Sequence, residues 1–170
     1  ALLQISNLYI DSFEIIKYHG GSLRVFACKN NRKVNNRIDE AINKESGVGV
    51  FRKNRYIDFM NLILINRNKF LKKVYDLKLK GEKIIAIGAA ARGNTILNFY
   101  KLDSTVIDYV TDVSSFKLSK YTPLTRIKIV EDSIFSRYKK VYAISLTNNI
   151  NEKVKDILNT YNKQIVYLNL

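Results

Sequence analysis

The spacing of apolar positions changes along the chain and separates it into regions. Residues 3–29 contain short apolar runs, which are typical of extended strands. The pair Gly20 and Gly21 interrupts them and favours a turn, because glycine adopts positive φ without steric cost. Residues 30–52 are mostly polar and predict a connector, with helical character over residues 34–42.

From Asn54 onward, apolar residues recur at roughly helical spacing as far as Gly81, which predicts one long helix with a glycine at its end. Short apolar runs then alternate with helical patterns. The predicted strands are 83–88, 105–111, 126–130, 141–145 and 164–168, and the predicted helices are 92–100, 131–136 and 151–161. Such alternation favours a parallel sheet with helices on both faces. We predict an α/β domain over residues 82–170, after a β-hairpin (1–29) and a linker with the long helix (30–81).

Composition permits a globular core and excludes several kinds of site. Hydrophobic residues make up 46% of the 170 residues and charged residues 26%. The one cysteine, Cys28, excludes an internal disulfide framework and a cysteine-based zinc site. The one histidine, His19, excludes any metal site that needs two imidazoles.

The net charge of +14 comes from 29 basic and 15 acidic residues. Nucleic acid is one partner that such a charge suggests, and an anionic small substrate is another. The charge is spread along a chain that is also rich in Lys, Asn and Ile, so we do not expect a nucleic-acid interface. The absence of a long apolar stretch and of a signal pattern leads us to expect a cytoplasmic protein without a membrane span. Because the chain opens at Ala1 within strand-like sequence, we expect it to be part of a longer protein.

The segment 83–95, KIIAIGAAARGNT, lies between a predicted strand and a predicted helix. Gly88, Ala90 and Gly93 occupy the three positions of the G-x-G-x-x-G motif, in which backbone amides and a helix N-terminus bind phosphate. Arg92 adds a side chain that can bind phosphate through two hydrogen bonds. A nucleotide or phosphate site, a redox dinucleotide site, and simple close packing of helix on strand all remain open.

Other candidates follow predicted strands. Asp112, with Lys117 nearby, and Asn148 would lie at the carboxyl edge of the sheet, where such folds bind ligands. Asp108 or Asp112 stands at the distance expected of an acid that binds a dinucleotide ribose. The alternatives are a solvated loop around Asp112 and a helix cap at Asn148.

His19 stands beside two glycines, and an imidazole can accept a proton near neutral pH. It is therefore a candidate general base, with Tyr18 as the nearest second candidate. A structural or surface histidine at a turn is the alternative.

Four segments together resemble the C-terminal domain of S-adenosylmethionine-dependent C-methyltransferases that act on nucleotide-linked keto-sugars. They are HGGSLRVFACK (19–29), AIGAAARGNTILNF (86–99), DYVTDVSSFK (108–117) and YTP (121–123). The resemblance implies a Rossmann-like fold that helps to hold the substrate. It also implies that an upstream domain, which would end in residues 1–29, binds S-adenosylmethionine, and that the 170 residues alone are inactive.

The resemblance also implies residue roles. His19 matches the base that is proposed for the family. The residues that match ligand-facing positions are Gly88, Ala90, Arg92, Gly93, Asn94, Thr95, Asp112, Lys117 and Asn148. The chain departs from the family at Ser114-Ser115, Leu124 and Thr147, where Asn-Pro, Gly and Trp are usual. The expected function is thus the substrate-binding, base-carrying part of a C-methyltransferase. An NAD(P)-type dinucleotide-binding domain and a basic nucleic-acid-binding domain are the alternatives.

Overall fold

A computed structural model describes residues 2–18, 21–30, 36–147 and 152–170. The chain divides into two compact units, Ala1–Asn61 and Leu62–Leu170. The long helix that the sequence predicts is present and crosses this division.

The first unit contains the predicted hairpin. Its elements are α1 (Leu2–Ile5), β1 (Tyr9–Ile16), β2 (Ser22–Cys28), α2 (Asn36–Gly47) and the beginning of α3 (Lys53–Leu79). The strands β1 and β2 are antiparallel, and Gly21 has a φ of +122° in the turn between them. The short helix α1 occupies a region where extended backbone was predicted, so that part of the prediction was wrong.

The second unit contains a five-stranded sheet. Its elements after α3 are β3 (Ile84–Ile87), α4 (Ala91–Tyr100), β4 (Tyr109–Thr111), β5 (Ile129–Val130), a 3-10 helix (Asp132–Arg137), β6 (Val141–Ser145), α5 (Glu152–Tyr161) and β7 (Ile165–Leu168). The strand order is β5-β4-β3-β6-β7, and all four neighbouring pairs are parallel. This is the order of a Rossmann-like sheet, and it confirms the predicted α/β class.

The sheet separates two apolar clusters. On one face Ile84 and Val110 pack with Val74 of α3 and Leu97 of α4. On the other face, side chains of the 3-10 helix and α5 cover the sheet. All four residues of β3 and three of the five residues of β6 are buried, because both faces of the sheet are covered, and these strands are accordingly mostly apolar.

Two strands are markedly shorter than predicted, namely β4 and β5, and β5 comprises only Ile129–Val130 of the predicted run 126–130. The run 105–111 suggested a strand throughout, but β4 begins only at Tyr109. The backbone amides of Val106 and Ile107 donate to the carbonyl of Asp103, whose carboxylate also accepts from the backbone N–H of Thr105 at 2.9 Å. This turn uses the hydrogen-bonding groups that a strand would need.

The connection from β4 to β5 contains turns, and within it the structure has no helix. Three non-glycine residues here have positive φ, namely Ser119, Leu124 and Arg126. Within the connection, an isolated antiparallel β-bridge pairs Tyr121 with Lys128. In doubly wound folds a helix usually connects two such strands. Here the connection is a loop, and its residues form one wall of a cavity.

Candidate functional site

The turn from β3 into α4 brings backbone amides to the carboxyl edge of the sheet. Gly88 has a φ of +88°, and its N–H donates to the carbonyl of Thr111 at 2.8 Å. A Cβ at Gly93 would lie 2.7 Å from the Cβ of Leu146, closer than real Cβ contacts come. Backbone conformation therefore accounts for Gly88, and close packing accounts for Gly93. Ala90 is the N-cap residue of α4 and provides no side-chain cap.

Asp112 ties this turn to the loop that follows β4. Its Oδ2 accepts hydrogen bonds from the N–H of Ala89 (2.9 Å) and the Nζ of Lys117 (2.8 Å), and its Oδ1 accepts from the N–H of Ser114 (2.9 Å). The side chain is only 10% exposed. Burial raises the pKa of Asp112, but the hydrogen bonds from Lys117 and the two backbone amides outweigh it and hold the pKa below its usual value.

Asp108 lies at the opposite edge of the sheet, beside the start of β3. Its carboxylate accepts hydrogen bonds from the N–H of Ile84 and from the ammonium groups of Lys78 and Lys83. Burial raises the pKa of Asp108, and these contacts lower it further than burial raises it. Each of the four carboxylate oxygens of Asp108 and Asp112 accepts at least one hydrogen bond from the chain.

A cavity of about 470 Å³ opens between the β3–α4 turn and the loop from β4 to β5. Its lining residues are Ala89, Ala90, Ala91, Asn94, Leu97, Phe116, Lys117, Lys120, Tyr121, Thr122, Pro123, Ile129 and Leu146. Most of this lining is apolar. The charged side chains among these lining residues are two lysines, so the cavity favours a ligand that combines an apolar or planar part with negative charge.

The sequence-based candidates are divided between this cavity and its surroundings. Ala90, Asn94 and Lys117 line it. Asp112 is not a lining residue, but it accepts a hydrogen bond from the lining residue Lys117. The other candidates of the β3–α4 segment, Gly88, Arg92, Gly93 and Thr95, are not among the lining residues, and Arg92 is exposed in the first turn of α4.

Phe116, Lys120 and Tyr121 are among the lining residues that were not sequence-based candidates. The side chains of Phe116 and Tyr121 are 83% and 60% exposed. From the sequence, a solvated loop was one of the two interpretations of this stretch. Two exposed aromatic residues that flank two lysines could have indicated a ligand-binding loop instead.

The remaining candidates belong to other parts of the chain. Tyr18 lies just after β1 in the first unit and is 63% exposed. His19 and Asn148 lie outside the described residues. Within the described ranges no cluster of acidic, histidine or cysteine side chains could hold a metal ion. None of the helices in those ranges is both long enough and apolar enough to cross a membrane.

Comparison with known families gives a match over most of this chain. The model of a family described as the C-methyltransferase C-terminal domain matches residues 17–167. The chain belongs to this family. The match includes strand β2 and all of the parallel sheet of the second unit except Leu168, so it confirms the resemblance drawn from the four segments. No curated protein matches the chain.

Proposed function

We propose that this chain is the substrate-binding and base-carrying part of an S-adenosylmethionine-dependent C-methyltransferase. Its substrate would be a nucleotide-linked keto-sugar or a compound of similar chemistry. The observation that carries the proposal is a cavity lined by apolar and lysine side chains at the carboxyl edge of the sheet, in a chain of the C-methyltransferase family. Parallel α/β sheets bind ligands at this edge.

The residues that line the cavity are better suited to a substrate than to the methyl donor. Adenosine-containing cofactors in such folds are commonly held by a carboxylate that accepts hydrogen bonds from ribose hydroxyls. The residues lining this cavity include no carboxylate. The proposal therefore assigns S-adenosylmethionine, the source of the methyl group, to an upstream domain of the same enzyme. The same argument weighs against an NAD(P)-type site.

The step assigned to this chain is the removal of a proton. A carbon beside a ketone becomes nucleophilic once a base takes its proton, and the electron pair of the C–H bond then forms an enolate. One base with a pKa near neutrality is sufficient. His19 is the one histidine of the chain, and Tyr18 is its immediate neighbour.

The test separates proton removal from methyl transfer in the full-length enzyme. Incubated in D₂O with a nucleotide-linked keto-sugar, the enzyme should exchange the proton next to the ketone, which NMR detects. His19→Ala should slow this exchange and lower kcat by roughly 10²–10⁴, the usual contribution of a positioned base. Substrate binding, measured by calorimetry, should hardly change.

Tyr18→Phe is the matched control, since it alters the adjacent side chain by one oxygen atom. If His19→Ala retains exchange and turnover while Tyr18→Phe loses both, the base is Tyr18 and the assignment of His19 is wrong. A full-length enzyme that methylates no keto-sugar, yet binds another anionic ligand in the cavity, would contradict the proposed substrate class.

A further inference from the structure

Two cationic side chains line the cavity, and only one of them carries a charge that the chain does not compensate. The Nζ of Lys117 lies 2.8 Å from the Oδ2 of Asp112. The opposite charges of the two groups largely cancel, so Lys117 attracts an anion only weakly. Lys120 forms no ion pair with any described residue.

The backbone fixes the position from which the Lys120 side chain extends. The carbonyl of Lys120 accepts a hydrogen bond from the N–H of Ile129 at 2.8 Å, and the N–H of Ser119 donates to the carbonyl of Ile129 at 3.0 Å. Lys120 is therefore hydrogen-bonded to strand β5 of the sheet. Binding a ligand then requires ordering of the side chain alone, which costs less than ordering a whole loop.

The next turn along the loop is held as firmly. The hydroxyl groups of Thr122 and Thr125 lie 2.7 Å apart in buried positions, and the N–H of Ile127 donates to the Oγ1 of Thr122 at 2.9 Å. Tyr121, between Lys120 and this turn, pairs with Lys128 across the loop. The backbone that carries the Lys120 and Tyr121 side chains is thus held by hydrogen bonds beside an apolar cavity.

We propose that Lys120 is the side chain with which this cavity binds an anionic group of its ligand. It does so in preference to Lys117, which Asp112 engages, and to Arg92, which does not line the cavity. In the substrate class proposed above, on which this inference rests, the anionic group is a phosphate. A primary ammonium is a compact donor well suited to phosphate oxygens.

The test measures binding of inorganic pyrophosphate and of a nucleoside diphosphate to the chain by titration calorimetry. At about 0.1 M salt, Lys120→Met should raise the Kd of both ligands about tenfold, as expected for the loss of one charge-assisted hydrogen bond. Lys120→Arg should retain binding within about twofold, because it keeps the charge. At about 1 M salt the effect of Lys120→Met should shrink, since screening then acts over ~3 Å.

Lys128→Met is the matched control. It removes the same charge from the same loop, but Lys128 lines a different groove together with Arg137 and Glu131. A general effect of net charge would move both variants equally, whereas a direct contact moves only Lys120→Met. Thermal melting of each variant shows whether it is folded.

Three results would overturn the inference: no binding of either ligand, equal losses in Lys120→Met and Lys128→Met, or a loss found in Arg92→Met and absent from Lys120→Met. Failure of the proposed function is distinguishable from these. An enzyme that binds pyrophosphate through Lys120 but methylates no keto-sugar would support the inference and contradict the methyltransferase assignment.

Discussion

Gly88 and Gly93 bracket the turn between β3 and α4, and each is needed for a different reason. The backbone of Gly88 has a φ of +88°, which a side chain would strain. Gly93 has ordinary helical geometry but lies against Leu146 of the neighbouring strand connection. Their motif was a correct indication of a strand–turn–helix unit. These two requirements do not show which ligand the turn binds, since backbone conformation at Gly88 and packing at Gly93 account for the two glycines.

Replacing Gly93 by alanine should destabilise the protein. An alanine normally stabilises a helix relative to glycine by up to about 1 kcal/mol. Here its Cβ would lie 2.7 Å from the Cβ of Leu146 and 3.3 Å from the carbonyl oxygen of Gly88. These atoms belong to the sheet and its turn, so the clash should prevail, with a net loss of about 1–3 kcal/mol in the free energy of unfolding measured with urea.

Gly47→Ala provides the comparison, because a Cβ at the end of α2 meets nothing within 4 Å. That variant should be unchanged or more stable by up to about 1 kcal/mol. Equal effects at the two positions would contradict the packing explanation.

Among the elements, three strands and two helices of the second unit were predicted best, while β4 and β5 are shorter than their apolar runs. The bounds of β3, α4, β6, α5 and β7 agree with the sequence pattern to within one or two residues. Residues 112–128 could not be predicted in the same way. Their path depends on positive φ at Ser119, Leu124 and Arg126, which are residue types that give no sign of it. The cavity wall formed by this loop was therefore missed, although Lys117 within it was identified.

Asp112 accepts hydrogen bonds both from the β3–α4 turn and from the loop that follows β4. Its contribution to stability should depend on pH. Its folded-state pKa lies below the unfolded value of about 3.9, because hydrogen bonds from Lys117, Ser114 and Ala89 outweigh the effect of burial. The stabilisation is thus present above that unfolded value and is lost as the pH falls through the folded-state pKa.

Asp112→Asn should lower the free energy of unfolding by about 1–2 kcal/mol near neutral pH. The difference from the wild type should disappear in acid. Urea unfolding between neutral pH and about pH 2 measures it. Asp103→Asn is a useful comparison, since the lowered pKa of Asp103 comes first from the hydroxyl of Thr105 in an exposed turn away from the cavity. If the cost of Asp112→Asn is the same at all pH values, the ion pair is not its source.

At the scale of the whole molecule, the apolar core is unevenly distributed. Both apolar clusters consist of residues of the second unit, from Phe70 to Leu168. In the described part of the first unit, Ile38 is the one buried hydrophobic residue, while Ile15 and Leu23 of the hairpin are 76% and 62% exposed. The second unit therefore contains nearly all of the burial that could stabilise a fold.

Residues 62–170 expressed alone should consequently fold. We expect circular dichroism to show mixed helix and strand, and urea to unfold the fragment in one cooperative transition, with a free energy within about 1–2 kcal/mol of that of the same transition in the whole chain. Ile85→Ala, at a fully buried position of β3, should lower that value by about 2–5 kcal/mol in both contexts. Ile38→Ala in the whole chain should leave the transition unchanged, because it removes no contact in either cluster of the second unit. A fragment without a cooperative transition would mean that residues 1–61 supply stability that their few buried side chains do not account for.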